Sequence, residues 1–220
     1  MRTTQSIAII GATGNMGSAL SRSLAAGNYR LLLCTSNLDK ATAMAEDIRK
    51  GNPAAMVEAT DCTMEASWEA DIIIVAVPYA AEKEVARRIR EVANQKIVIS
   101  IANPLNDTYD GLVTAPGTSA AEELQKLLPN SKVIKAFNTT FAADFATPLI
   151  DGRQVDAFIA GNDGEALQNV SELVSTVGFN PIVAGDLAAS RTLEDMQLLL
   201  IRLNAKYDYN WRAGWKILHQ

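Results

Sequence analysis

Histidine is almost missing from this sequence. Its one copy, His219, stands next to last among 220 residues, so a reaction that needs an imidazole finds none in the body of the chain. Cysteine is nearly as scarce: Cys34 and Cys62 make neither a Cys-x-x-Cys pair nor a disulfide framework. That points to a reducing, cytoplasmic setting and to no metal site. Positive charge is outnumbered, 20 Lys and Arg against 25 Asp and Glu for a net charge of -5, and it is nowhere concentrated. The densest basic stretch, Ala86 to Arg90, is flanked by Glu82, Glu84 and Glu91 and reads as a solvated helix face. Nucleic acids and anionic membranes both demand a clustered basic surface, so neither is an expected partner. No apolar run approaches membrane-spanning length, and the opening MRTTQS lacks the apolar core of a secretion signal. Repeats, low-complexity stretches and linkers are absent too, which leaves residues 1–220 as one expected domain.

What the chain does have is a succession of short runs rich in Ile, Leu and Val: Ser6 to Gly11, Leu31 to Thr35, Ala55 to Ala59, Asp71 to Val77, Lys96 to Ile101, Lys132 to Phe137, Asp156 to Gly161 and Pro181 to Gly185. Most are apolar at successive positions, the mark of strands covered on both faces in a parallel sheet. Helical segments separate them at Met16–Ala26, Asp39–Lys50, Ala80–Ala93, Ser119–Leu128, Gly164–Val177 and Ala188–Lys206. Ser119 followed by Glu122 is a capping-box signature. The pattern predicts an α/β fold: a doubly wound, parallel, Rossmann-like NAD(P)-binding sheet, extended by C-terminal strands and a long C-terminal helix. The longest irregular stretch, Ala102 to Thr118, is long enough to expect a functional or mobile loop.

IAIIGATGNMGSAL, Ile7 to Leu20, places Gly11, Gly14 and Gly17 where the first strand gives way to the first helix. A glycine there permits the tight turn, another admits a diphosphate to backbone N–H groups, and a third lets helix and sheet approach. The first two are one residue further apart than in Gly-x-Gly-x-x-Gly, but the strand–turn–helix context supports dinucleotide binding. At the end of the second strand an NAD site places an acid for the ribose 2′-hydroxyl. Here Thr35, Ser36 and Asn37 offer neutral donors, Lys40 adds a charge, and the first acid, Asp39, falls inside the next helix. That favours NADP(H), although no arginine supplies a planar clamp. The same three residues also suit a helix cap. In such a sheet the cofactor crosses the carboxyl ends of the strands, so Ala76, Val77 and Pro78, then Asn103 and Pro104, then Phe137 and Asn138 are expected to frame it; Pro78 and Pro104 also stop strands, and Phe137 also suits a core.

IIGATGNMGSAL, ADIIIVAVPY, ISIANPL, GTSAAEELQKLLPNSKVIKAFNTT and DLAASRTLEDMQLLLIRL together resemble the NADP oxidoreductase family that contains the deazaflavin (coenzyme F-420)-dependent NADPH reductases. The cytosolic reductase domain of the STEAP ferric reductases is similar. The resemblance implies that Thr13, Gly14, Asn15 and Met16 cradle the pyrophosphate and that Thr35 to Asn37 hold the 2′-phosphate. It also implies that Ala76 to Pro78, Asn103, Phe137 and Asn138 frame the nicotinamide, with deazaflavin or flavin as co-substrate.

Carbonyl reduction needs a proton donor beside the new alkoxide, whereas hydride transfer to a flavin-like ring spreads its charge over that ring. A chain so poor in titratable site residues therefore reads as a reductase passing hydride to a small-molecule redox acceptor, with no catalytic side chain assigned. Two other readings stand beside it. One is a non-catalytic NADP(H)-binding sensor or redox subunit. The other is a carbonyl reductase using Tyr79 and Lys83, whose Tyr-x-x-x-Lys spacing matches short-chain dehydrogenases but falls at the wrong crossover. The aromatic tail with Tyr207, Tyr209, Trp211 and Trp215 is expected to dock on a sheet edge or on the partner of a homodimer.

Overall fold

A computed structural model describes residues 4–219. Eight strands form one sheet in the spatial order β10-β9-β6-β5-β4-β1-β2-β3: β1 Gln5–Ile10, β2 Tyr29–Cys34, β3 Met56–Thr60, β4 Ile72–Val75, β5 Ile97–Ser100, β6 Lys132–Lys135, β9 Asp156–Gly161 and β10 Asn180–Gly185. The two-residue strands β7 Leu149–Ile150 and β8 Arg153–Gln154 make a separate hairpin. Helices α1 Asn15–Leu24, α2 Leu38–Gly51, α3 Thr63–Glu69, α4 Tyr79–Ile89, α5 Ala120–Leu127, α6 Gly164–Thr176 and α7 Ser190–Tyr207 cover both faces.

Strand side chains alternate between two cores, as a pleated sheet requires. Ile7, Ile9, Ile72 and Ile74 face Leu20 and Leu24 of α1, Met44 and Ile48 of α2, and Val170 and Leu173 of α6. Ala8, Ile10, Ile73 and Val75 face Ala66 of α3, Ala86 and Ile89 of α4, and Leu124 of α5. Because both faces are buried, the strands read as unbroken apolar runs. The order β3-β2-β1-β4-β5-β6 is all parallel, and its winding reverses between β1 and β4.

The structure corrects the expected sheet at one end and adds one helix. β9 runs antiparallel to β6, and β10 runs parallel to β9. No crossover helix joins β6 to β9: residues 137–155 hold a 3-10 turn, Ala142–Phe145, and the small hairpin, so the chain re-enters the sheet from the end it left. With Lys135 opposite Ala160, the start of β9 overhangs the carboxyl end of β6. The tail docks on that overhang. Trp215 bridges to Asp156, whose buried carboxylate accepts from Lys216 Nζ at 2.7 Å and from the N–H of Ile217 at 2.6 Å. Burial would raise the Asp156 pKa, but these donors and Asn180 outweigh it and hold it below the ordinary range. The additional helix, α3, is only seven residues long, too short for a 3.6-residue period to register in sequence.

Candidate active site

The glycine loop lies at the switch between β1 and β4. Gly11 has φ +87°, and a Cβ there would strike the carbonyl of Ala76, the residue after β4. A Cβ on Gly17 would strike the carbonyl of Gly11, so Gly17 is what lets α1 sit against the turn. Gly14 is the N-cap of α1 and is exposed; no side chain caps the helix, and its first turn holds no acid. The Gly14 N–H donates to the Gly11 carbonyl at 3.0 Å, while those of Asn15, Met16 and Gly17 have no hydrogen-bond partner among the described residues, a helix start of the right polarity for a diphosphate. Thr13 ties the loop to the end of β2, its Oγ1 lying 3.1 Å from Oγ1 of Thr35.

Beyond β2, Ser36, Asn37 and Lys40 are exposed. Asn37 caps α2, its Oδ1 accepting the Lys40 N–H at 3.0 Å, so the helix-cap reading holds for this residue and its amide NH2 remains to face outward. Asp39 lies in the first turn of α2, past the strand end.

Across the switch, Ala76 and Val77 are half-buried and Pro78 is exposed as the N-cap of α4. Asn103 and Asn138 are brought together as a reciprocal pair. Asn103 Nδ2 donates to the Asn138 carbonyl at 3.0 Å, and Asn138 Nδ2 donates to Asn103 Oδ1 at 3.0 Å and to the Leu193 carbonyl of α7. Asn138 is 1% exposed, and its Oδ1 has no hydrogen-bond partner. An orphaned buried acceptor is costly unless a ligand supplies the donor. Pro104 is buried. Phe137 departs from the expected rim: its ring is fully buried, packing on Phe145 with centroids 5.9 Å apart. Its backbone is held at φ +60°, a conformation uncommon for a bulky residue.

No hydrogen bond joins Tyr79 to Lys83 among the described residues. The Tyr79 hydroxyl donates to Glu123 of α5 at 2.5 Å, and Lys83 is exposed. Burial and then Glu123 push the phenol pKa well up, which makes it a poorer proton donor.

The sequence reading missed a polar cluster beneath the rim. Lys135 and Glu194 are both fully buried and paired at 2.6 Å. Lys135 Nζ also donates to the Ala102 carbonyl, and Glu194 accepts the N–H of Ala120 at 3.1 Å. Burial raises the Glu194 pKa against the opposing pull of Lys135. Glu82 of α4 is 3% exposed beside Ser100, and burial lifts its pKa to about 7. Gln197, 3% exposed, keeps an unpartnered Oε1. The signal was present in α7: Glu194, Gln197 and Asn204 fall on the same buried stripe as Leu193, Leu200 and Ile201.

Beside the glycine loop, a groove of about 520 Å³ runs along α1. Asn15, Ser18 and Arg22 form one wall; Phe141, Ala142 and Trp211 form the other. Trp211 meets Phe141 edge-on, with centroids 5.3 Å apart.

A model of the family described as NADP oxidoreductase, coenzyme F420-dependent, matches residues 6–104. The F420-dependent NADP reductase of Methanocaldococcus jannaschii is 32% identical over 212 residues, covering 91% of this chain and 93% of that protein. Its namesake in Methanothermobacter marburgensis is 28% identical, at 91% and 92% coverage. A segment covering 48% of the chain is 36% identical to rat metalloreductase STEAP3, but that is 21% of the longer protein. Among solved structures, one from Arthrobacter sp. FB24, described as a candidate F420-dependent NADP reductase, superposes with TM-score 0.84 at 25% identity, covering 98% of this chain and 100% of that one. With relatives alike over nearly their full length, this chain belongs to the coenzyme F420-dependent NADP oxidoreductase family and is an NADP-dependent oxidoreductase.

Proposed function

We propose that this protein exchanges hydride between NADP(H) and coenzyme F420, the whole chain, residues 1–220, acting as one folded unit. The observation that carries the reading is the site's construction: an uncapped helix start for a diphosphate, and beside it a groove walled by Phe141 and Trp211. The name shared by the archaeal relatives supplies the acceptor.

NADPH supplies the hydride. The N–H groups of Asn15, Met16 and Gly17 bind its diphosphate, Thr13 and Thr35 brace the loop, and Ser36, Asn37 and Lys40 take the 2′-phosphate. At the other end Ala76 to Pro78 wall the nicotinamide, and the Asn103–Asn138 pair orients its carboxamide. An amide NH2 of the ligand is the donor that Asn138 Oδ1 lacks. Proximity and exclusion of water then supply most of the rate enhancement, since the accepting ring delocalises the charge it receives. Phe141 and Trp211 offer apolar surface for that planar ring.

Two accompanying features belong to the same reading. Cys34 and Cys62 are both free thiols, which suits a cytoplasmic setting. Half-exposed Tyr207 and Leu199 on α7 give a second copy an apolar surface to meet, consistent with a homodimer.

Steady-state oxidation of NADPH with F420, FMN, a quinone and a ferric chelate tests the proposal. F420 is expected to be reduced at least tenfold faster than any other acceptor. Preference for FMN would transfer the reading to a flavin reductase, and tight NADPH binding without turnover of any acceptor would identify a sensor.

A further inference from the structure

Six positions beneath the nicotinamide rim form a closed circuit of hydrogen bonds and peptide neighbours. Lys135 Nζ holds the Ala102 carbonyl, Ala102 precedes Asn103, and Asn103 pairs with Asn138. Asn138 in turn holds the carbonyl of Leu193, which precedes Glu194, and Glu194 closes the circuit on Lys135 at 2.6 Å. The circuit ties the ends of β5 and β6 to α7. Glu194 extends it to the start of α5 through the Ala120 N–H. Buried ion pairs are poor sources of net stability, so this one is better understood through what it fixes in place.

We propose that Lys135 and Glu194 are positioning residues for hydride transfer, acting through the Asn103–Asn138 pair, and that the protonation state of Glu82 governs how firmly they hold it. The proposal rests on the functional reading above, which puts the nicotinamide against that pair. Glu82 reaches the cluster from α4, accepting from Ser100 Oγ of β5 at 3.3 Å. The ionisable groups around it are Lys135 from β6, Glu194 from α7, Glu123 from α5 and Tyr79 from its own helix, with Glu122 of α5 engaged outside by Arg191. When Glu82 is neutral, one buried ammonium faces one buried carboxylate. When it ionises, a second carboxylate competes for Lys135 and weakens its hold on Glu194 and the Ala102 carbonyl. Burial places that transition near pH 7.

Two measurements test this. In the nucleotide-free native protein, the side-chain amide NMR signals of Asn103 and Asn138 are expected to move with pH around a midpoint near 7, and Glu82→Gln is expected to hold them still. Separately, Glu194→Gln keeps the shape of the side chain; it is expected to leave the NADPH Kd within threefold and to lower kcat for F420 reduction at least tenfold. Amide signals indifferent to pH in the native protein, or a folded Glu194→Gln enzyme with kcat within twofold of native, would overturn the proposal. Should Glu194→Gln fail to fold, the amide titration decides alone. Failure of native protein to bind NADPH would instead overturn the functional reading and leave the titration result standing.

Discussion

Gly11 cannot carry a side chain: its φ of +87° disfavours one, and the Ala76 carbonyl occupies the space a Cβ would need. The left-handed conformation alone costs about 1–2 kcal/mol for an L-residue, and the clash adds to it. Gly11→Ala is therefore expected to lower the melting temperature and to weaken NADPH binding at least tenfold by calorimetry, because the cradle and the β1–β4 contact share that turn. At the other end of the cofactor, Lys40 is exposed and makes no ion pair among the described residues. A hydrogen bond to a charged group is worth about 1.5–3 kcal/mol. Lys40→Glu should thus raise the NADPH Kd by roughly ten- to a hundredfold while changing that for NADH little, read by quenching of tryptophan fluorescence. Equal losses for both nucleotides would place the 2′-phosphate elsewhere.

At the scale of elements, α7 is bound to β6 by a buried charge pair, and this gives a stability prediction with a sign. Lys135→Met leaves the Glu194 carboxylate buried and unpaired, a loss of about 3–5 kcal/mol. Changing both, Lys135→Met with Glu194→Leu, should recover much of that in urea unfolding but not all, because the Ala120 N–H then loses its acceptor. A double variant as unstable as the single would mean the ion pair is not the source of the loss. The same region shows what could be read in sequence. The order of strands up to β6 was legible because strands covered on both faces are largely apolar, whereas the seven-residue α3 between β3 and β4 was not. The reversal at β9 was not, since an apolar run looks the same in either direction. Asn103 and Asn138 were legible as polar residues at strand ends, and the structure joins them. Lys135 was hidden inside KVIKAF, where it passes for a strand-end charge, and Glu194 and Gln197 look like solvent-facing residues until the helix is wound. Phe137 was found at the right place in the chain, but its left-handed backbone turns the ring inward.

For the whole molecule, burial of acids makes stability depend on pH. Glu82 titrates near 7 in the folded protein, and burial lifts Asp144 to about 6; both lie above the ordinary carboxylate range. The folded state thus binds more protons than the unfolded state between those limits. The associated stability is complete below the unfolded pKa values and is lost progressively as pH rises to the folded ones, about 6 for Asp144 and about 7 for Glu82. For Glu82 the gap from the ordinary value of 4.5 amounts to about 3 kcal/mol at most. Glu82→Gln should accordingly flatten the fall in stability between pH 5 and 7.5, measured by denaturant titration; an unchanged slope would place the titrating group elsewhere. The account as a whole depends on the turn between β1 and α1 binding a dinucleotide that carries a 2′-phosphate. Isothermal titration of the native protein with NADPH and with NADH tests that most directly. Saturable binding of NADPH at least tenfold tighter than NADH is the predicted result, and no heat with either nucleotide, or equal affinity for both, would contradict it.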